Sequence, residues 1–258
     1  MLSKNKIKTI RSLSLKKHRE ELGLFIVEGE KMCKELLELN LNGAKCDYQI
    51  QEIFFTQEWL DKYEDLVSRF QGEKLLVKTV ELEKLSQLKT ANQVIAIVKI
   101  PPVEIPYYDE ELVLLLDKIQ DPGNMGTIIR TAEWFGIKYI ICSSDSVDLY
   151  NSKVVQSTMG AMFNVDILYF DIVQAIKNLK KHHPLKPVYG AALDGRNIYD
   201  TPLSQNACIV MGNESKGIRP EVREMVTKTI KIPQIGKSES LNVASATAVI
   251  CSEFKRNL

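Results

Sequence analysis

The stretch Asp121-Pro122-Gly123-Asn124-Met125-Gly126, with Arg130 a turn further on, decides how this chain is read. Two later segments complete it: Met211-Gly212-Asn213-Glu214, and Ile232-Pro233 with Ser240-Leu241-Asn242. Around them the sequence is apolar. The runs Leu112 to Leu116, Tyr139 to Cys142, Val165 to Leu168, Val188 to Ala192, Cys208 to Met211 and Thr229 to Ile232 have the near-continuous hydrophobicity of parallel strands buried on both faces. Helices are predicted at Met125 to Phe135, Lys153 to Met159, Ile172 to Lys180, Glu221 to Val226 and Leu241 to Lys255. This alternation predicts an α/β domain with a mainly parallel sheet. Such a sheet takes its ligand at the carboxyl ends of its strands, and the three polar segments fall there.

Each segment has its own local chemistry. Asn124 suits a helix N-cap, and Gly123 and Gly126 permit close backbone approach, so free N–H groups at this helix start could receive an anion. Ile128, Ala132 and Phe135 then share one helical face, which leaves Thr127, Arg130 and Trp134 on another. An arginine placed there can fork onto a phosphate. Gly212 allows a ligand to pack on the backbone, and Glu214 puts a carboxylate at the mouth of the sheet. Ser240 stands before the last helix and is expected to cap it. Because that helix is apolar nearly all round, it is expected to be buried, and with it the amide of Asn242.

The first hundred residues repeat the alternation on a smaller scale. Leu24 to Val27, Glu52 to Phe55, Lys74 to Val77 and Val94 to Val98 read as strands, with helices at Lys31 to Leu39 and Glu81 to Leu88. Three prolines between Pro101 and Glu111 mark a stiff linker. The expected organisation is a domain over 1–100, a Pro-rich linker over 101–110 and a second domain over 111–258.

A net charge of +1 excludes a uniformly basic coat, so any affinity for nucleic acid must come from local clustering. Lys4, Lys6, Lys8, Arg11, Lys16, Lys17 and Arg19 all precede the first acid, Glu20. Lys16, Lys17 and Arg19 are the candidate RNA contacts; a solvated helix face is the equally ready reading of such a run. Cys33, Cys46, Cys142, Cys208 and Cys251 are too widely spaced for a metal site and read as buried hydrophobes in a reducing, cytoplasmic setting. No apolar run approaches the ~18 residues of a membrane span. No two glycines stand two apart, which removes the dinucleotide fingerprint, and phosphate-loop, nucleophile-elbow and zinc-helix motifs are missing too.

In this order, over about half the chain, the three segments resemble the motifs of the SpoU (TrmH-like) family of RNA ribose 2′-O-methyltransferases. The resemblance runs from about Leu112 to Phe254. Residues 3 to 100 look like the L30e-like substrate-binding domain found in front of many members, whose first helix and strand are similar to Ser12 to Gly29. The resemblance implies a SPOUT-type α/β domain with a deep trefoil knot, S-adenosylmethionine as cofactor, no metal, and a homodimer. It implies a catalytic set of Asn124, Arg130, Glu214, Ser240 and Asn242, with the cofactor held along the backbone of Gly212, Ile232 and Leu241. Ser215 departs from the glycine that many relatives have after the acid. An N-terminal RNA module points by analogy to ribosomal RNA ahead of transfer RNA. The reading from a different class is a non-catalytic RNA-binding protein of the same fold.

Overall fold

A computed structural model describes residues 2–41, 47–102 and 112–256. In chain order the elements are α1 (Lys4–Ser12), α2 (Lys16–Leu22), β1 (Leu24–Glu28), α3 (Glu30–Leu41), β2 (Ile50–Phe55), α4 (Gln57–Arg69), β3 (Glu73–Leu76), α5 (Thr79–Leu85) and β4 (Val94–Lys99). They continue with β5 (Val113–Leu116), α6 (Pro122–Trp134), β6 (Tyr139–Cys142), α7 (Ser152–Thr158), β7 (Asp166–Tyr169), α8 (Ile172–His182), β8 (Val188–Asn197), β9 (Cys208–Met211), α9 (Pro220–Arg223), β10 (Lys228–Lys231) and α10 (Val243–Lys255). The linker expected over 101–110 lies, apart from Pro101 and Pro102, outside the described residues, as does Cys46.

The chain forms two compact units, one of Met1–Pro102 with Asp148–Phe163, the other of Val103–Val147 with Asn164–Leu258. In the first, a sheet of order β1-β4-β2-β3 is antiparallel at β1/β4 and β4/β2 and parallel at β2/β3. Ile26, Phe54, Ile95 and Ile97 meet Ile10 and Leu13 from α1 and its cap, and Leu82 and Leu85 from α5, in one buried cluster. Helix α4, not among the expected elements, buries Trp59 and Val67, and Trp59 meets Phe55 of β2.

The segment Asp148–Phe163, expected to belong wholly to the second domain, groups with this first unit. Aromatic packing and two polar anchors account for it. Tyr150 packs tilted against Phe25 with ring centroids 4.7 Å apart, Phe163 meets Tyr48 edge-on at 5.4 Å, and Gln156 donates to the carbonyl of Glu28 at 2.8 Å. The second anchor corrects the assignment of Arg19 as an RNA contact. Its residue is only 3% exposed, and its guanidinium donates to the Leu13 carbonyl at 2.7 Å and to Asp148 Oδ2 at 2.5 Å. A buried guanidinium so paired is part of the fold and faces no solvent. Lys16 and Lys17 are exposed, each within 4 Å of the acid one turn on, at 3.7 Å from Glu20 and 3.8 Å from Glu21.

The second unit is a six-stranded sheet of order β10-β8-β9-β5-β6-β7, parallel at every pairing. All six strands predicted from the apolar runs are present. Alternate side chains Val113, Leu115, Ile141, Val188, Cys208 and Val210 share one face and pack with Ile172, Ala175, Ile176 and Leu179 of α8. Strand order reverses between β5 and β9, whose residues Leu116 and Met211 are register partners. This is the switch point at which an open parallel sheet leaves a crevice. At β8/β10 the register jumps from Gly190 to Arg196 across Thr229/Ile230. Gly195 closes the bulge, and a Cβ there would lie 2.5 Å from the Ile230 carbonyl carbon, so only glycine fits.

Replacing Asp148 by Ala would strand the Arg19 guanidinium in a site that admits little water. Stability is expected to fall by roughly 3 kcal/mol, the cost of breaking one side of a buried ion pair. Urea unfolding of the full chain measures it. A change within the noise of such titrations would mean that Arg19 finds water or another acceptor.

Candidate active site

The first polar segment is set by what happens as β5 ends. Asp117 has no exposure, and the next residue, Lys118, has φ +62°, a left-handed turn that a side chain rarely adopts without support. Support comes from the β6 side. Ser143 Oγ accepts the Lys118 N–H at 2.8 Å, Ser146 Oγ accepts the Ile119 N–H at 3.2 Å, and the two hydroxyls lie 3.0 Å apart. The chain then enters α6 with Pro122 at its first position. Asp121 is the N-cap, its Oδ1 accepting the N–H of Asn124 at 2.8 Å. Asn124 is therefore not the cap, as the spacing suggested, but sits three residues inside the helix with its amide free for other work. The earlier carboxylate followed by proline made the better cap.

Arg130 lies two turns along α6 from the cap and is exposed, opposite the buried Met125, Ile128, Ile129 and Ala132. Among the described residues its guanidinium has no partner.

The second segment folds back on itself. Asn213 and Gly217 exchange backbone hydrogen bonds of 2.9 Å each, while Asn213 Oδ1 accepts from the N–H groups of Ser215 at 3.1 Å and Lys216 at 3.0 Å. Ser215 fits this turn without a glycine. Gly212 has a packing reason of its own for lacking a side chain, since a Cβ there would lie 2.3 Å from the Gly217 carbonyl carbon and the Ile218 nitrogen. Its missing side chain makes room for the returning loop.

Glu214 is the meeting point. Its Oε1 accepts from Asn124 Nδ2 at 3.1 Å and from the Asp121 N–H at 3.3 Å, and its Oε2 accepts from Asn213 Nδ2 at 3.2 Å. The same Asn213 amide donates to the Lys118 carbonyl at 2.9 Å.

The third segment joins through Asn242. Asn242, not Ser240, caps α10, its Oδ1 accepting the N–H groups of Ala244 at 2.9 Å and Ser245 at 3.2 Å. Its amide nitrogen donates to Asn124 Oδ1 at 2.9 Å. An unbroken series therefore runs Asn242, Asn124, Glu214, Asn213, Lys118. Ser240 is exposed and outside it. Asn242 is exposed rather than buried, and α10 buries only the stripe Val243, Ala244, Thr247, Ile250, Cys251 and Phe254, with Ser245 facing water. Small alanines on the remaining side expose too little apolar area to force it inside.

Two groups that motif reasoning passed over hold the loops in place. Arg219 closes onto the buried Asp117, with Nε and Nη2 both 2.7 Å from Oδ1 and the backbone N–H 2.8 Å from Oδ2. Asp145 faces Lys118 Nζ at 3.4 Å and Arg219 Nη1 at 3.9 Å. The Ser143 hydroxyl, assisted by Arg219 and Lys118, holds its carboxyl below the usual carboxylate range. An acid immediately after a buried strand was the available signal for Asp117.

Among the described residues no group of three or more His, Cys, Asp or Glu could hold a metal ion. The residues implied for S-adenosylmethionine, in contrast, fit their ligand. Leu241 is 52% exposed and Ile232 is half-buried, both in a segment that forms neither helix nor strand beside the carboxyl end of β10. Apolar side chains beside backbone outside any helix or strand suit a flat base with polar edges.

The family relationship rests on the whole chain. The model of the SpoU rRNA Methylase family matches residues 111–252, and that of the MRM3-like substrate binding domain matches residues 4–96. The chain is 28% identical over 246 residues to the 23S rRNA (guanosine(2553)-2′-O)-methyltransferase RlmP of Bacillus subtilis, covering 95% of this chain and 94% of that one. A TrmH-family structure from Porphyromonas gingivalis superposes with a TM-score of 0.88 at 36% identity, covering 100% of both chains. An AdoMet-bound rRNA methyltransferase from Sinorhizobium meliloti does so with a TM-score of 0.85 at 26% identity, over 100% of this chain and 97% of that one. With the three motif loops tied together by side-chain amides at the switch point of a parallel sheet, the match to the family model over 111–252 completes the case: the chain belongs to the SpoU rRNA Methylase family.

Proposed function

We propose that this chain is an S-adenosylmethionine-dependent methyltransferase acting on a ribose 2′-hydroxyl of ribosomal RNA. The observation that carries this reading is the series Asn242, Asn124, Glu214, which joins all three motifs, with the exposed Arg130 further along the helix that carries Asn124. The 23S rRNA activity named for the Bacillus subtilis relative supports the choice of substrate.

When bound, S-adenosylmethionine supplies an electrophilic methyl group. The backbone of Gly212, Ile232 and Leu241 would hold it. The chain's own task is to align a ribose hydroxyl and ease its deprotonation. Arg130 carries donors and no acceptor, so it serves as clamp and not as base. It forks onto a substrate phosphate, whose oxygen can accept the hydroxyl proton, and it stabilises the alkoxide that develops. Glu214 is the less suitable proton acceptor, because both its oxygens already accept hydrogen bonds. Its role is to fix the Asn124 amide so that the Asn124 carbonyl oxygen faces Asn242.

The homodimer implied by the family resemblance is supported by Trp134, 81% exposed on α6, and by the half-buried Ala246, Ala248 and Val249 of α10. The strand order, with β9 lying between β5 and β8, is compatible with the knotted path of the family. A cytoplasmic setting is supported by four free, buried cysteines, among them Cys208 and Cys251, whose thiols burial pushes up to about 11 and about 12. Among the described residues no helix is long and apolar enough to cross a membrane.

The full chain, mixed with labelled S-adenosylmethionine and 23S rRNA transcript, should place label on a ribose. Label on transfer RNA alone would redirect the substrate, and cofactor binding without transfer to either would favour the non-catalytic reading. Arg130→Ala is expected to keep cofactor affinity, measured by calorimetry, while turnover falls about a hundredfold or more, the scale of losing one preorganised donor. Arg130→Lys should rescue poorly, because an ammonium lacks the planar fork. A Glu214→Gln enzyme that binds both substrates yet is dead, beside an Arg130→Lys enzyme of near-normal turnover, would make the carboxylate the base.

A further inference from the structure

The basic run at the start of the chain is not uniform once its partners are known. Arg19 is buried against Asp148, Lys6 lies 2.6 Å from the buried Glu52, and Lys16 and Lys17 each stand within 4 Å of a glutamate one turn along α2. Lys4, Lys8 and Arg11 remain. All three are exposed, and among the described residues none has an ion-pair partner.

Their spacing is i, i+4, i+7, which on a helix of 3.6 residues per turn gathers them within an arc of about 60°. That arc lies opposite Ile10 and Leu13, which are buried in the core of the first unit. Helix α1 contains no acid. The acids that reach it from neighbouring elements are already engaged. Glu52 pairs with Lys6, and Glu81 of α5 accepts from the N–H groups of Leu2 at 3.0 Å and Lys78 at 3.2 Å. What α1 presents to water is a straight row of three unneutralised cations about 10 Å long, on a helix fixed by its buried face.

We propose that this row, Lys4, Lys8 and Arg11 of α1, is the phosphate-binding track of the first unit and carries the salt-sensitive part of RNA binding, in place of Lys16, Lys17 and Arg19. The inference rests on the proposed action on RNA and names the surface that grips its backbone. A row of cations along one helix stripe, with no aromatic side chain to stack a base, meets the evenly spaced phosphodiesters, so it strengthens binding without choosing the nucleotide. The two α2 lysines contribute less because each already has a counter-charge, and releasing it costs part of what a phosphate would return.

The test compares the full-length wild type with Lys4→Ala/Lys8→Ala/Arg11→Ala and with Lys16→Ala/Lys17→Ala. Filter binding to a 23S rRNA transcript is measured across a series of salt concentrations. Alanine is the best residue for an exposed helix position, so neither variant should disturb the fold, and calorimetric titration with S-adenosylmethionine checks that each is intact. Losing three phosphate contacts should reduce the logarithmic salt slope by roughly 2, at about 0.7 per contact on single strands, with affinity at low salt down tenfold or more. The α2 variant should change the slope by less than half as much. An unaltered slope in the α1 variant, or an α2 variant that loses as much, overturns the track. Methyl transfer by the wild type is scored separately. A wild type that binds the transcript but methylates no RNA sinks the enzymatic reading, while the slopes still decide where the phosphates sit.

Discussion

The carboxylate of Asp117 cannot reach water, and most of the active site follows from how the chain satisfies it. A buried charge is tolerable only when paired and hydrogen-bonded. Here the partner is Arg219, which approaches with side chain and backbone together from the far end of the second motif loop. Closing that pair draws residues 212–219 over the end of β5. The loop must then turn back within a few residues, which is why Gly212 has no room for a side chain and Asn213 supplies its own turn. Lys118 is held left-handed at the same place, its N–H taken by Ser143 and its carbonyl by Asn213. Strain of this kind persists only where its surroundings over-determine it, and here two neighbouring strand ends do so.

With the loop fixed, the amides above it have one consistent arrangement. Glu214 can only accept, so Asn124 must turn its Nδ2 toward it, and its oxygen is left for Asn242. Asn242 in turn has its own oxygen committed to the N-terminus of α10. Orientation thus passes from a carboxylate to a helix cap through two amides, with no ambiguity of flip at either. One carboxylate orders three loops, while Arg130, on the same helix as Asn124, has no partner among the described residues.

Much of this was legible in the sequence because buried parallel strands leave a strong trace. Runs such as Leu112 to Leu116 and Cys208 to Met211 can hardly be anything else, and the parallel sheet followed. Where reasoning missed, the physics was tertiary. Asn124 and Ser240 are both plausible caps by composition, yet Asp121 and Asn242 have the geometry, because the helix begins where proline and the returning loop let it. Helix α4 was overlooked since its buried face is only Trp59 and Val67 amid charges. Arg19 looked like its basic neighbours, and nothing local reveals that Asp148, 129 positions away, would bury it. The partition of Asp148–Phe163 into the first unit was invisible for the same reason.

Charge shows the same division between composition and arrangement. A net charge of +1 over 258 residues says nothing in favour of a polyanionic substrate. In the folded chain, however, most cations of the opening run acquire a carboxylate within 4 Å, and the exceptions fall on a single helical stripe. Pairing therefore works by subtraction, cancelling the cations that point elsewhere and leaving the remainder in register. A surface built in this way keeps general attraction to nucleic acid low, since most of its charge is neutralised at short range, and confines what attraction remains to one line. Under the proposed assignments, α1 would govern where a strand lies and Arg130 where a phosphate is held for methylation. An enzyme acting on one ribose among many identical backbones needs its grip and its chemistry to be separate constraints, because a phosphate track alone cannot tell one nucleotide from the next.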